Sequence, residues 1–356
     1  MIRSRALLTP AQPSMKRWRR WAAVEIASVG LLLAAVAAAA GAERPATPIR
    51  VGMVGLDAHA VPFAELLADP KTPADARTMK VVAAVPAFSA DIAFSADNIQ
   101  ANTQRMRALG VEIVPSIEAM LPKVDAVMLL GIDGRPHWDQ ARLVLPAKKP
   151  VFIDKPVAVS LVDILRIYDL AAKLGTPCFS NSSLRYSRGI LGMRNDPRVG
   201  RVLGCDAWGS NAPLHPSHPD LFYYGIHGSE LLFAVMGPGC KTVTRVRTPT
   251  ADLAAGVWAD GRLGTLRGIL QGRTEFGATV FGDKGIAPAG KFEGYEPLLV
   301  EIARFFRTGK TPVTVQETLE IYAFMEAADQ SKRQGGVPVT LASVLEKAQA
   351  EARNTP

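Results

Sequence analysis

Between residues 48 and 175 the chain repeats one pattern, a short β-branched apolar run followed by an amphipathic stretch of helical period. The runs are Pro48 to Gly55, Lys80 to Val85, Val111 to Val114, Asp125 to Leu130 and Pro150 to Ile153. Helical stretches lie between them, over Ala58 to Ala68, Asp97 to Leu109, Ile117 to Leu121 and Arg135 to Ala147. The last, Ser160 to Leu174, has a serine at its start and Gly175 at its stop. Regular strand and helix alternation predicts a parallel, doubly wound sheet with strands buried on both faces.

Beyond Arg185 the pattern changes to longer alternating strands, at Arg201 to Trp208, Lys241 to Thr248, Gly256 to Ala259, Leu263 to Leu270 and Ala278 to Gly282. Asp260-Gly261 marks a hairpin between two of them. Helices are expected over Tyr295 to Phe306 and Val315 to Ser331. The fold class is therefore α/β, a doubly wound sheet over 46–175 and a second α/β domain with an open, mostly antiparallel sheet over 176–340. At 356 residues and 48% hydrophobic content, two domains with full cores are affordable without disulfides.

The formal charge of +8 is uneven. Arg3, Arg5, Lys16, Arg17, Arg19 and Arg20 face only Glu25 in residues 1–42, so most of the excess lies there, and no basic stripe for nucleic acid follows. The Met15 to Arg20 cluster, the apolar stretch Ile26 to Ala40 and Ala40-Gly41-Ala42 form the layout of a signal peptide over 1–42. Export, in a periplasmic setting, is expected through the general or the twin-arginine route, given Arg19-Arg20. The start is at Met1 or Met15. Membrane contact is expected only through an uncleaved signal. Cys178, Cys205 and Cys240 form no paired metal or redox motif.

Three groups of residues carry candidate chemistry. The first is the turn Gly55-Leu-Asp57-Ala-His59-Ala60, where a dinucleotide fold places G-x-G-x-x-G. Only Gly55 remains, and Asp57 stands where a glycine lets backbone approach the pyrophosphate, so its carboxylate both crowds and repels the phosphates. The alternative for Asp57 is a helix cap. Val85-Pro86-Ala87 supplies no acid for the ribose hydroxyls, so nothing chooses between NAD and NADP. His137 either faces this side of the cleft or opens a helix.

Second, Asp154-Lys155-Pro156 ends a buried strand at the sheet edge where open α/β folds bind ligands. Lys155 is either a cleft lysine able to act as acid, base or donor to a reacting oxygen, or an exposed turn residue. Third, Tyr223, Tyr224 and His227 precede Glu230 at a helix start, with His215, His218 and Asp220 just upstream. These histidines either line a polar pocket or gather a metal, and the intervening prolines disfavour a shared face; no metal is expected. Arg185 and Tyr186, at the junction of the two patterns, either bind substrate or seal the interface.

Val-Gly-Met-Val-Gly55, Asp154-Lys155-Pro156 and Gly225-Ile-His227-x-x-Glu230, with the closing Tyr295 to Leu299 and Phe305 to Lys310 segments, resemble the glucose-fructose oxidoreductase and inositol dehydrogenase family (Gfo/Idh/MocA). The resemblance implies a Rossmann domain for NAD or NADP, with Gly55, Asp57, His59, His137, Asp154, Lys155 and Pro156 on the cofactor side. It implies Lys155 and His227 as catalytic residues. Arg185, Tyr186, His218, Asp220, Tyr223 and Tyr224 are then expected on the substrate side. The family's aspartate four residues before the histidine is Tyr223 here. The expected activity is an exported NAD(P)-dependent oxidation of a sugar, inositol or related polyol by a homo-oligomer. A redox-neutral sugar-processing enzyme with tightly bound NAD, and a carbohydrate-binding protein with a degenerate cofactor site, are the alternatives.

Overall fold

In the computed structural model, which describes residues 47–187 and 189–354, the strand and helix alternation becomes β1 (Ile49–Val54), α1 (Ala60–Ala68), β2 (Met79–Val85), α2 (Ala93–Ala108), β3 (Glu112–Ile113), α3 (Ile117–Met120), β4 (Ala126–Leu129), α4 (His137–Val144), β5 (Val151–Ile153), α5 (Leu161–Leu174) and β6 (Cys178–Phe179). The six strands pair in parallel in the order β3-β2-β1-β4-β5-β6. All four residues of β4 and all three of β5 are buried, the signature of strands covered by helices on both faces. The chain reverses its direction of growth between β1 and β4, and this switch point opens a crevice at the carboxyl ends of the strands. There Gly55, at φ +90°, turns so close to the next strand that a Cβ would sit 2.6 Å from the Gly131 backbone nitrogen. The expected signal segment, 1–42, lies outside the described residues.

Helix ends follow side-chain chemistry. Ser160 Oγ accepts the Asp163 N–H at the start of α5, and Gly175, at φ +64°, ends it. Several starts differ from the sequence pattern by one to four residues; α4, for one, begins at His137 rather than Arg135. Helix α1 begins at Ala60 rather than Ala58: the first carbonyl of its ladder is that of His59, which accepts from Phe63 N, and the Ala58 N–H goes to the Asp57 carboxylate. Helix α2 begins at Ala93 rather than Asp97, because the Ile92 carbonyl already accepts from Ser95 and Ala96.

The second sheet comprises β7 (Val202–Ser210), β8 (Cys240–Arg247), β9 (Ala251–Trp258), β10 (Leu263–Ile269), β11 (Gly277–Gly282), β12 (Ile286–Ala289) and β13 (Val339–Thr340). Its order is β12-β11-β7-β10-β9-β8-β13, antiparallel except where β7 meets β10. Asp260-Gly261 makes the hairpin between β9 and β10. Between β7 and β8 runs α6 (Ile226–Met236), and α7 (Glu296–Thr308), α8 (Val315–Arg333) and α9 (Leu341–Asn354) close the chain. Helices α6 and α8 cover one face of the sheet, while Val257 and Leu263 sit opposite one another and exposed on the other. Helix α9 lies past residue 340 and packs Leu341, Val344 and Ala348 inward. No helix among the described residues is long and apolar enough to cross a membrane.

The second half of the chain also holds the loop after β5. Tyr322 of α8 is fully buried, and its hydroxyl accepts the Val157 N–H at 2.8 Å, two residues past Lys155. Replacing Tyr322 by Phe strands that buried donor and should lower stability by about 1–3 kcal/mol. A urea midpoint unchanged from wild type would show that water replaces the hydroxyl.

Candidate active site

The carboxyl ends of β1, β4 and β5 place three segments together. The β4 to β5 ladder continues through Asp154, whose N–H donates to Leu129 O at 2.8 Å, so Asp154 and Lys155 emerge at the crevice. Asp154 is 2% exposed and its carboxylate takes the Lys155 N–H at 2.8 Å and the His59 Nδ1. Burial works to raise the Asp154 carboxyl, but the His59 and Lys155 charges and these bonds hold it below the usual carboxylate range. His59 stacks flat on Phe63, with centroids 5.4 Å apart, and meets the edge of Tyr295.

Lys155 is 4% exposed, so the turn-lysine alternative is not what the structure holds. Its ammonium lies 5.7 Å over the Tyr224 ring, and burial pushes its pKa down against the pull of Asp154 and Asp57. From the other side α6 brings His227, whose Nδ1 is 2.6 Å from Ser182 Oγ and whose ring meets Tyr224 and Phe276. Burial, with the Lys155 and His59 charges, lowers the His227 pKa well below the imidazole range. His59, Lys155, Tyr224 and His227 line one cavity of about 240 Å³, walled by Phe94, Phe276, Phe292 and Tyr295. A larger surface hollow of about 790 Å³ lies elsewhere, and its arginines, Arg194, Arg201 and Arg262, are paired with Glu317, Asp283 and Asp260.

The other expected site residues are placed differently. Arg185 pairs with Glu230 at 3.0 Å and with Glu317, and Tyr186 donates to Asn181; all three of these partners are buried. Asp220 joins Arg245, Arg247 and Lys332 in an ion cluster with Asp252 and Asp329 behind the second sheet. The three histidines do not form one group: His215 and His218 meet edge to face at 5.7 Å and both bond Ser217, His218 also faces Asp133 at 3.3 Å, and His227 bonds Ser182. Tyr223 packs with Ile92 and Ile132 and on the His218 ring. His137 is fully buried with Nδ1 on the Pro156 and Val157 carbonyls, and its Nε2, beside Gly131, has no hydrogen-bond partner. Ser182, Tyr295 and Phe276 were not singled out from sequence. Ser182 has no local signal, and the two aromatics arrive from segments more than a hundred residues from Lys155.

A dinucleotide fits this crevice at one end. The switch point, the close turn at Gly55 and the buried Lys155 suit a nicotinamide ring beside the 240 Å³ cavity. At the phosphate end the fit is incomplete, because the Asp57 carboxylate already accepts the N–H groups of Ala58 at 2.7 Å and Ile132 at 3.1 Å.

His137 and His227 are both held below about 6.5, the ordinary imidazole value, by burial. The folded protein then binds fewer protons than the unfolded chain. The stability that these neutral rings confer is complete above about pH 6.5 and is lost as pH falls toward the lower folded values. The urea midpoint of His227→Gln should therefore drop less between pH 7.5 and 5.5, on the order of one unit either side of that value, than the wild-type midpoint does. Equal drops would mean that His227 titrates as an ordinary imidazole.

Residues 49–182 match the model of an oxidoreductase family with an NAD-binding Rossmann fold, Gfo/Idh/MocA. No curated protein matches the chain in sequence. Among solved structures, the apo scyllo-inositol dehydrogenase of Lactobacillus casei superposes with a TM-score of 0.68 at 15% identity, covering 84% of this chain and 100% of its own. The myo-inositol dehydrogenase of the same organism, in complex with NAD(H) and myo-inositol, gives 0.67 at 16%, covering 83% and 97%. An oxidoreductase of Agrobacterium radiobacter in complex with NAD+, L-tartaric acid and magnesium gives 0.66 at 14%, covering 84% and 100%. At these identities the likeness is one of fold, and it extends over both sheets. The matched segment, residues 49–182, is thus similar to the NAD-binding Rossmann fold of the Gfo/Idh/MocA oxidoreductases, and the solved structures extend that likeness of fold over the rest of the described chain.

Proposed function

We propose that the protein oxidises or reduces a hydroxyl-bearing carbon of a single-ring polyol or sugar, using NAD or NADP. The observation that carries this reading is the convergence of Lys155, His227 and the His59–Asp154 pair on one cavity at the carboxyl edge of the sheet. About 240 Å³ is below the roughly 300–1,000 Å³ of sites for drug-sized ligands, so the substrate is small. Aromatic walls with polar heads suit a ring that is apolar on its faces and hydroxylated at its rim.

A bound nicotinamide would supply the two-electron acceptor or donor. The chain's own residues manage the proton and the charge on oxygen. With Nδ1–H donated to Ser182 Oγ, His227 presents the Nε2 lone pair to the substrate hydroxyl, and its depressed pKa keeps it in the base form at neutral pH. Lys155 stabilises negative charge growing on the oxygen, in a pocket where burial and aromatic walls exclude water. Asp154 orients His59 by taking its Nδ1, leaving Nε2 as that ring's free nitrogen.

One observation favours a redox-neutral variant of this reading. Two imidazoles line the same cavity, and the carboxylate-backed one is His59 rather than His227, whose partner is a serine. A site that removes a proton and returns it elsewhere on the substrate needs two such groups. The basic and then apolar segment over 1–42 supports placing this enzyme outside the cytoplasm.

The test is turnover of myo-inositol, scyllo-inositol and common hexoses with NAD+ or NADP+, followed by nicotinamide absorbance and by product analysis. Lys155→Met and His227→Ala should each lower kcat/KM by about 10²–10⁴-fold. Product formed without net nicotinamide change would select the redox-neutral variant. Wild-type turnover in either substituted protein would overturn the assigned roles.

A further inference from the structure

We propose that Asp57 is an internal anion for the phosphate cradle, and that a dinucleotide binds this protein by displacing its carboxylate. The inference rests on the nicotinamide-dependent reading above and deepens it.

The start of α1 is where a doubly wound fold gathers backbone N–H groups for an anion. In this chain the anion is covalently present. Asp57 is 4% exposed; its Oδ1 accepts from Ala58 N at 2.7 Å and Ile132 N at 3.1 Å, and its Oδ2 from Ser95 Oγ at 2.8 Å. Those donors come from the turn before α1, from the loop after β4 and from α2, so one carboxylate joins the three walls of the crevice. Asn102 fixes the turn, donating from Nδ2 to the carbonyls of Leu56 at 2.7 Å and Asp57 at 2.8 Å.

The neighbouring path, where the ribose and adenine of a dinucleotide lie between the ends of β2 and β4, is also spanned by side chains. Ser89 Oγ donates to Asp133 at 2.6 Å, and Arg135 bridges Asp133 and Asp91 at 2.6 and 2.7 Å. Ile92 and Ile132 pack together beside them. A pyrophosphate cannot share the N–H groups with a carboxylate, because like charges a few ångströms apart repel strongly in a partly buried site. Binding therefore exchanges one set of charge-assisted hydrogen bonds for another, and the net affinity is the difference between them.

The experiment is calorimetric titration of the full chain with NADH and with NADPH, in wild type, Asp57→Asn and Asp57→Ala, alongside melting curves with and without nucleotide. Asp57→Ala should bind at least about tenfold more tightly than wild type, with Asp57→Asn between them. Without nucleotide, Asp57→Ala should melt lower than wild type, since the cradle N–H groups lose their acceptor, and saturating nucleotide should restore it. If Asp57→Ala does not fold, Asp57→Asn carries the same comparison through its lost charge. Wild-type binding that is already as tight as in the variants would overturn the proposal while leaving the dinucleotide reading in place. Failure of all three proteins to bind at millimolar nucleotide would overturn the dinucleotide reading, and this proposal with it.

Discussion

Arg185 holds the site's geometry. Its guanidinium, 4% exposed, bridges Glu230 on α6 and Glu317 on α8, and Glu230 in turn takes the Ser182 N–H and the Asn181 side chain from the segment leaving β6. Burial pushes the Glu230 carboxyl up despite the neighbouring guanidinium, so the cluster tolerates charge only while every partner is in place. Because α6 carries His227 and the 181–182 segment carries its serine partner, the same cluster sets where the imidazole lies against the edge of the first sheet.

That arrangement redistributes acid and base relative to the family pattern that the motifs resemble. Where the relay aspartate stands in that pattern, Tyr223 packs into a small apolar cluster with Ile92 and Ile132. Among the residues lining the cavity, the imidazole backed by a buried carboxylate is instead His59, on Asp154. Lys155 lies between these two rings electrostatically, lowering the His227 pKa while it is itself held by Asp154. The cleft is thus a coupled set of charges, and the protonation of each member depends on the others.

Much of this was legible in the chain. The β4 and β5 runs, Ala126–Leu129 and Val151–Ile153, are short and wholly apolar, as strands covered on both faces are. Ser160 and Gly175 bounded α5 correctly because caps are local chemistry. The Asp260-Gly261 hairpin was equally local. The two-residue strands β3, β6 and β13 were not all recoverable, since pairs so short are defined by their neighbours. Helix α9, rich in alanine and charge, shows its inward face only once α5 and α8 are there to receive it.

The sequence by itself determined the layering, the switch point, and the positions of Lys155 just past a strand end and of His227 at a helix start, because periodicity and strand ends depend on neighbours a few residues away. It also showed that Asp57 replaces a glycine. Only the tertiary structure decided that the Asp57 carboxylate turns inward onto Ile132 and Ser95, that Asp154 pairs with His59, and that Arg185 is spent on two glutamates. Each of those choices joins residues between 38 and 132 positions apart, where a buried charge takes whichever partner the packed chain brings within reach.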